Sequence, residues 1–419
     1  MRYLSQHQME ISGKNILFIS YDGLTDPLGQ SQVLPYLSGL RKKGHRISIV
    51  SVEKESRKSL VPQLQARLDA EGIAWKKIAY TKKPPIISTV KDLLKLRSLC
   101  EGQCKNEKFD IVHCRSYLPA LIGLHLKRKF GIAFLFDMRG FYADERVDGM
   151  IWDQDKFIYR TIYRYFKKKE KEFLSEADQV ISLTEAAKKE IHAWNGIAGQ
   201  PVPVKIIPCC ADLSLFRPGI NHQQIAKDLR LEKFSLVISY AGSLGTWYLL
   251  KEMLEFFRQL LITYPEACLL FITPDNPEEI KAEAKKTGLD PERSIRIVNA
   301  LYKDVPAYLS CSQVSIFFIK PAYSKTASSP TKQAEILGTG LPVICNAGIG
   351  DTDSIILDSG AGAVVRSFTN EEYDKVIKQL PELLKIPSEK IREYAVSRLS
   401  LEIAVERYNE VYQRIGNHK

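Results

Sequence analysis

The chain contains no apolar run of about 18 residues or more, so no membrane-spanning helix is expected. Its eight cysteines include no CxxC pair and no Cys/His cluster with zinc spacing, which argues against a structural metal. Cys100, Cys104, Cys114, Cys209, Cys210, Cys268, Cys311 and Cys345 sit mostly in apolar runs, where a thiol packs as a small hydrophobe. A reducing cytosol is the expected setting. No internal repeat of about 20–50 residues and no low-complexity tract is present. The opening MRYLSQHQMEISGKN is polar and lacks the apolar core of a secretory signal, so a loose tail is expected over residues 1–14. Acid is also in short supply: 49 Asp and Glu face 60 Lys and Arg, a net charge of +11. That balance favours nucleic acid, an anionic membrane surface or phosphorylated substrates. No nucleic-acid-binding module is recognisable, which leaves membrane surface and sugar phosphates.

What is present is alternation. Strand-like runs NILFIS, RISIVSVE, FDIVHC, IAFLFDM, DQVISLT and VKIIP fill the first half, and LVISYAG, CLLFIT, IRIVNA, VSIFFI, PVICN and GAVV the second. Amphipathic stretches separate most of them. Repeated strand–helix units imply parallel sheets covered by helices on both faces, and two such series imply two doubly wound domains. The break falls near IIPCCADLSLFRPGINHQQ, which is rich in Pro and turn residues. The expected domains are 15–215 and 216–397. An amphipathic final helix, about 398–419, is placed to cross back onto the first.

The segment TASSPTKQAEILGTGLPVICN, Thr326 to Asn346, carries the most chemistry. Ser329 has the place of an N-cap and Pro330 that of the first helical residue. A helix start attracts anions, phosphate above all. Lys332 adds charge about one turn in, and Glu335 follows on the same face, where a carboxylate accepts hydrogen bonds from two sugar hydroxyls. Diphosphate first and ribose second is the order a nucleotide needs. The plain alternative is a capped helix with exposed Lys and Glu.

In order along the chain, five segments resemble glycosyltransferase family 4, the retaining sugar-nucleotide transferases of the GT-B fold. They are YDGLTDPLGQSQVLPYL with LRKKGHRISIVS, FDIVHCRSYLPALIG, EADQVISLTEAAKKEI, IIPCCADLSLFRP and SPTKQAEILGTGLPVI. The resemblance implies two Rossmann-like domains facing across a cleft, acceptor in the first and nucleotide sugar in the second. It also implies a donor with a UDP- or GDP-linked sugar, a glycan or lipid-diphosphate-sugar acceptor, and no further cofactor. The family's diphosphate-clamping Arg and Lys fall here on Ser243 and Tyr248, and its first motif Glu on Ala327. Pro330, Lys332 and Glu335 follow instead the P-x-K-x-x-E pattern of another branch. Neutralising the diphosphate is then left to Lys332, with Lys325 or Lys320, and to backbone N–H groups over Gly242–Gly245 and Ser328–Thr331.

The donor-binding candidates are therefore Gly29, Gly242, Ser243, Gly245, Asn299, Tyr302, Ser328, Ser329, Thr331, Lys332 and Glu335. Gly29 and the Gly242–Gly245 loop are read as close backbone approaches to the ligand, or as ordinary turn glycines. Asn299 to Tyr302 is placed to read the base, with Tyr302 stacking on it. Asp137, Arg139 and Lys332 are the catalytic candidates. Asp137 and Arg139 lie in FDMRGFYADERVDG, which is expected to gather Asp137, Arg139, Asp144, Glu145 and Arg146, either at the cleft or in a surface ion-pair loop. His113 and Arg115 end another strand, where the family places acceptor contacts. Lys156, Arg160, Arg164 and Lys168 recur every four residues on one helical stripe, with Ile158, Ile162, Tyr165, Phe166 and Phe173 largely on another side. That stripe, with Lys82 and Lys83, suits an anionic membrane, at about 1 kcal/mol per basic group; a solvated domain helix is the plain alternative. The implied activity is metal-independent retaining glycosyl transfer in bacterial surface polysaccharide or glycolipid assembly, in the cytoplasm or at the inner membrane face. The rivals are a GT-B nucleotide-sugar epimerase and a non-catalytic nucleotide-sugar-binding or membrane scaffold subunit.

Overall fold

The computed structural model describes residues 13–415. The expected tail over 1–14 therefore lies almost wholly outside the described residues. Lys14 is buried, and its backbone N–H donates to His45 Nδ1.

Among the described residues, thirteen strands form two parallel sheets. In the first half they are β1 (Asn15–Ser20), β2 (Arg46–Glu53), β3 (Ala74–Ala79), β4 (Ile111–Arg115), β5 (Ala133–Asp137), β6 (Gln179–Ser182) and β7 (Val204–Ile206). Their order is β3-β2-β1-β4-β5-β6-β7. In the second half they are β8 (Leu236–Ala241), β9 (Ala267–Ile272), β10 (Ile295–Val298), β11 (Val314–Phe317), β12 (Val343–Asn346) and β13 (Gly362–Val365), ordered β10-β9-β8-β11-β12-β13. Central strands such as NILFIS and LVISYA are buried at every position, as expected of parallel strands covered on both faces. β3 escaped the sequence analysis because AWKKIA is an edge strand with only Trp75 buried, so no apolar run marks it.

Both sheets reverse their strand order, between β1 and β4 and between β8 and β11. Ligands of open α/β sheets bind outside the carboxyl ends of the strands at such switch points. Arg115 and Asp137 end β4 and β5 and are paired in register. Gly242 follows β8, and Asn299 follows β10.

The C-terminal helix, Leu401–Ile415, returns to the first domain. Ala404, Val405, Tyr408, Val411, Tyr412 and Ile415 join the cluster of Ile16, Phe18, Leu37 and Ile49. Gly39 makes this approach feasible, since a Cβ there would stand 2.5 Å from a Val405 methyl. The chain crosses between domains where Ala211 and Ser400 form a parallel bridge. Arg392 locks that crossing by donating to the carbonyls of Leu213, Phe216 and Gly338.

Candidate active site

The first domain brings a buried polar cluster to the cleft. Arg115 and Asp137 are neighbours in the sheet, and His113, two residues before Arg115, points to the same face. The C-terminal helix closes that face. Tyr408 Oη donates to Asp137 Oδ2 at 3.0 Å, and His113 Nδ1 lies 2.7 Å from Tyr412 Oη. His113 Nε2 lies 3.4 Å from Asp137 Oδ2. Burial pushes the His113 pKa down despite that carboxylate, so the ring is neutral: it donates from Nε2 and accepts at Nδ1 from Tyr412. Burial alone would raise the Asp137 pKa; the charge of Arg139 and the His113 hydrogen bond hold it below the usual carboxylate range.

Asp137 is thus a correction: it is 2 % exposed and sits behind the cleft rather than facing it. Arg139 faces the cleft. Its backbone has φ +57, uncommon for a residue with a Cβ, and its guanidinium donates to Cys209 Sγ at 3.2 Å and lies 3.9 Å from Asp137 Oδ1. Nor does the segment after β5 gather its charges as expected. Asp144 turns to Tyr163 and Lys167, Glu145 to Lys325, and Arg146 lies over the Tyr142 ring. A helix, Tyr142–Asp148, splays them around its circumference.

The second domain supplies the helix Thr331–Gly338. Pro330, not Ser329, is its N-cap residue, and no side chain caps it. The Ser329 hydroxyl is drawn away to accept from the N–H of Cys209 in the interdomain linker. The opening N–H groups at Thr331 and Lys332 have no intrahelical acceptor. Lys332 is buried: its Nζ donates to Tyr240 Oη at 3.0 Å and stands 3.5 Å from the Tyr248 ring centroid. Burial drives its pKa well down, against the pull of Glu335 and Asp275. Gly242, at φ +110, leaves room for this ammonium, since a Cβ would lie 3.2 Å from Lys332 Nζ. Glu335 Oε1 accepts from Tyr302 Oη at 3.0 Å, and burial pushes its pKa up to about 7.

Several expectations change here. Tyr302, 42% exposed, packs its ring against Phe216 and donates its hydroxyl to Glu335. Two of the four Gly242–Gly245 amides are already taken by the protein. Gly242 N–H donates to Ile272, and Leu244 N–H and the Ser243 hydroxyl donate to Asp275, a carboxylate absent from the sequence candidates. The loop does not open a helix directly either, because the next helix begins only at Leu250. Gly29 makes its close approach to its own chain: a Cβ would lie 2.3 Å from the Gly23 carbonyl oxygen. Asn299 is exposed beyond β10. Lys320 is exposed and outside the cavity lining.

A cavity of about 320 Å³ joins the two halves. The first domain contributes Leu28, Gln32, Arg115 and Arg139, and the second Trp247, Tyr248, Lys325, Ser328, Ser329 and Thr331. Lys325 Nζ is buried over the Trp247 ring and bonds Glu145 Oε1 at 2.9 Å. Of the sequence candidates, Arg115, Arg139, Lys325, Ser328, Ser329 and Thr331 meet in this cavity. Lys332, Glu335, Tyr302 and Gly242 form an adjoining group, joined to it through Tyr248. Among the described residues no group of three or more His, Cys, Asp or Glu is placed to hold a metal ion.

Two doubly wound domains closing on a cleft at their strand ends define a protein of the GT-B fold. Residues 31–215 match the family model described as Glycosyltransferase Family 4. Among curated proteins, the D-inositol 3-phosphate glycosyltransferase of Segniliparus rotundus is 22% identical over 290 residues, 66% of this chain and 60% of that one. The chain thus matches about 60% of the length of that curated relative. Sucrose-phosphate synthase from Thermosynechococcus elongatus superposes with TM-score 0.70 at 16% identity, over 96% of this chain and 99% of its own. Anabaena Alr3699/HepE in complex with UDP and glucose gives TM-score 0.70 at 12% identity, over 96% and 100%. At these identities the structural likeness establishes the fold.

Proposed function

We propose that the chain is a metal-independent retaining glycosyltransferase that moves a sugar from a nucleoside-diphosphate sugar to a glycan or lipid-linked acceptor. The observation that carries this is the shared cavity, where Arg139 of one domain and the Thr331–Gly338 helix start of the other face one space. As the glycosidic bond breaks, negative charge grows on the leaving diphosphate. Fixed donors aimed at that charge contribute about 3 kcal/mol each to lowering the barrier. Glu335, once ionised, accepts from ribose hydroxyls after Tyr302 gives way. Retention and the UDP- or GDP-linked donor rest on the family resemblance. The complex of HepE with UDP and glucose favours a UDP-sugar.

The acceptor belongs to bacterial surface polysaccharide or glycolipid assembly on this reading, with the enzyme cytoplasmic or peripheral at the inner membrane face. In its support, Lys156, Arg160, Arg164 and Lys168 are all exposed along Phe157–Glu176 and its approach. Phe157 is 75% exposed and Met150 84%, beside exposed Ile151, Ile158 and Tyr165. Phe166 and Phe173 instead cover the sheet. Basic groups among exposed apolar ones are what an interfacial helix carries. No helix among the described residues is long and apolar enough to cross a membrane.

The test is thermal stabilisation by UDP, GDP, ADP, CMP and their sugar conjugates, with and without EDTA, followed by turnover of the selected donor. A selective, EDTA-insensitive shift with sugar transfer supports the proposal. Binding without turnover favours the scaffold subunit, and epimerised sugar the epimerase.

A further inference from the structure

The cavity holds more positive charge than its own protein partners satisfy. Arg115 is 6% exposed, yet its Nε makes no hydrogen bond. Its ion pair with Asp22 is long, at 3.9 Å, and Asp22 is itself half exposed. Burial and, after it, the nearby charge of Arg139 lower the Arg115 pKa against the pull of Asp137 and Asp22. The single buried carboxylate beside them is Asp137, already engaged by Tyr408 and His113. A desolvated cation without a good partner destabilises the fold. Such a cost persists where a ligand relieves it.

We propose that Arg115 and Arg139 form a phosphoryl-binding site on the first-domain wall of the cleft, completed across the cavity by the backbone N–H of Thr331. Both arginines line the same cavity, and so do Thr331 and Ser328. Arg115 is held by its place at the end of β4, and Arg139 by its φ +57 backbone and the Cys209 contact. A planar guanidinium pair bridges the oxygens of one phosphate or of two linked phosphates, which a lysine point charge does not. The site takes over the charge that Ser243 and Tyr248 do not supply and that Lys332, bound beneath Tyr240, holds back. It stands on the cleft geometry alone. Only the source of the phosphoryl group, the leaving diphosphate of the donor or a phosphate carried by the acceptor, rests on the transferase reading.

The experiment uses the full chain and its Arg115→Gln, Arg115→Lys and Lys251→Gln variants, the last changing an exposed lysine to control for net charge. Calorimetry measures binding of inorganic pyrophosphate, inorganic phosphate, UDP, GDP, uridine and guanosine, and each ligand-free Tm is recorded. The expected result is at least tenfold weaker pyrophosphate or phosphate binding in Arg115→Gln, partial recovery in Arg115→Lys and no change in Lys251→Gln. A ligand-free Tm raised by about 2 °C in Arg115→Gln is also expected, because the variant removes an unsatisfied buried charge. If the loss extends to UDP or GDP but not to the nucleosides, the donor diphosphate is the occupant. If nucleotide binding is untouched and phosphate binding at saturating nucleotide is lost, the occupant is an acceptor phosphate. Unchanged binding of every phosphate in Arg115→Gln, or a lowered Tm without a binding loss, overturns the site and leaves the transferase reading standing. A binding loss for pyrophosphate in a protein that no nucleotide stabilises keeps the site and removes the transferase reading.

Discussion

The two walls of the cleft carry their positive charge in opposite ways. The second domain holds the helix that looks most like a nucleotide site, yet its cations are occupied. Lys332 lies under two tyrosines, and Lys325 is paired with Glu145. The first domain's legible glycine loop, at Gly29, closes on its own chain, yet the domain presents two largely buried guanidinium groups that share one carboxylate. A motif marks where a ligand approaches; burial and partner geometry decide which charge is free to meet it.

Removing the carboxylate should break this contrast most severely. Asp137→Ala leaves Arg139, Arg115 and the Tyr408 hydroxyl short of a partner, and the loss of one member of a buried charge cluster costs about 3–5 kcal/mol. Urea unfolding monitored at neutral pH reads this directly. The folded pKa of Asp137 lies below its unfolded value, so its contribution is present above about pH 4 and fades as pH falls through the folded value. The difference between wild type and variant should therefore shrink in acid. A loss under about 1 kcal/mol at pH 7 would mean that water, not Asp137, compensates the arginines.

The matching change on the other wall should behave in reverse. In Lys332→Met the variant side chain fills similar space but carries no charge. The folded pKa of Lys332 is depressed by burial, so at neutral pH the ammonium lowers stability and its removal raises Tm. The same change removes a donor near the helix start that Tyr240 already engages, so UDP or GDP binding should weaken by only about threefold. A stabilised variant with unweakened nucleotide binding would assign Lys332 to the protein core.

Much of this contrast was out of reach of sequence. The two series of apolar runs gave the doubly wound domains because buried parallel strands are written as continuous hydrophobic stretches. The edge strand β3 was lost for the opposite reason. Pro330, Lys332 and Glu335 were legible because a helix start has local chemistry. What Asp137, Gly29 and Ser329 do was not legible, since each is settled by a distant partner. Tyr408 lies 271 residues from Asp137, and the Cys209 amide 120 residues from Ser329. Asp275 escaped notice because its task, holding the Ser243 and Leu244 donors, depends on the β8–β9 pairing.

A comparable effect on binding should come from pH. Glu335 accepts from ribose hydroxyls more strongly when ionised than when protonated, and burial pushes its pKa up to about 7. UDP or GDP affinity should rise roughly threefold from pH 6 to pH 8, and the rise should vanish in Glu335→Gln. A flat wild-type profile over that range would release Glu335 from the ribose role.

The smallest effect tests whether the occupied cations can be freed. Glu145 is 43% exposed in its side chain, whereas its partner Lys325 is buried between Trp247 and the first domain. Glu145→Gln keeps a hydrogen-bond acceptor for Lys325 but removes the opposing charge. The stability cost should be about 1 kcal/mol or less, because solvent screens the exposed end of the pair. With that anion gone, the field inside the cavity becomes more positive, and pyrophosphate binding should tighten by about twofold at low salt. The gain should decline as salt is raised, which separates a field effect from a rearranged contact. If Glu145→Gln instead weakens pyrophosphate binding at every salt concentration, the Lys325–Glu145 pair is what holds the two walls at the right separation. The second domain's lysine would then contribute to the cleft by position rather than by charge.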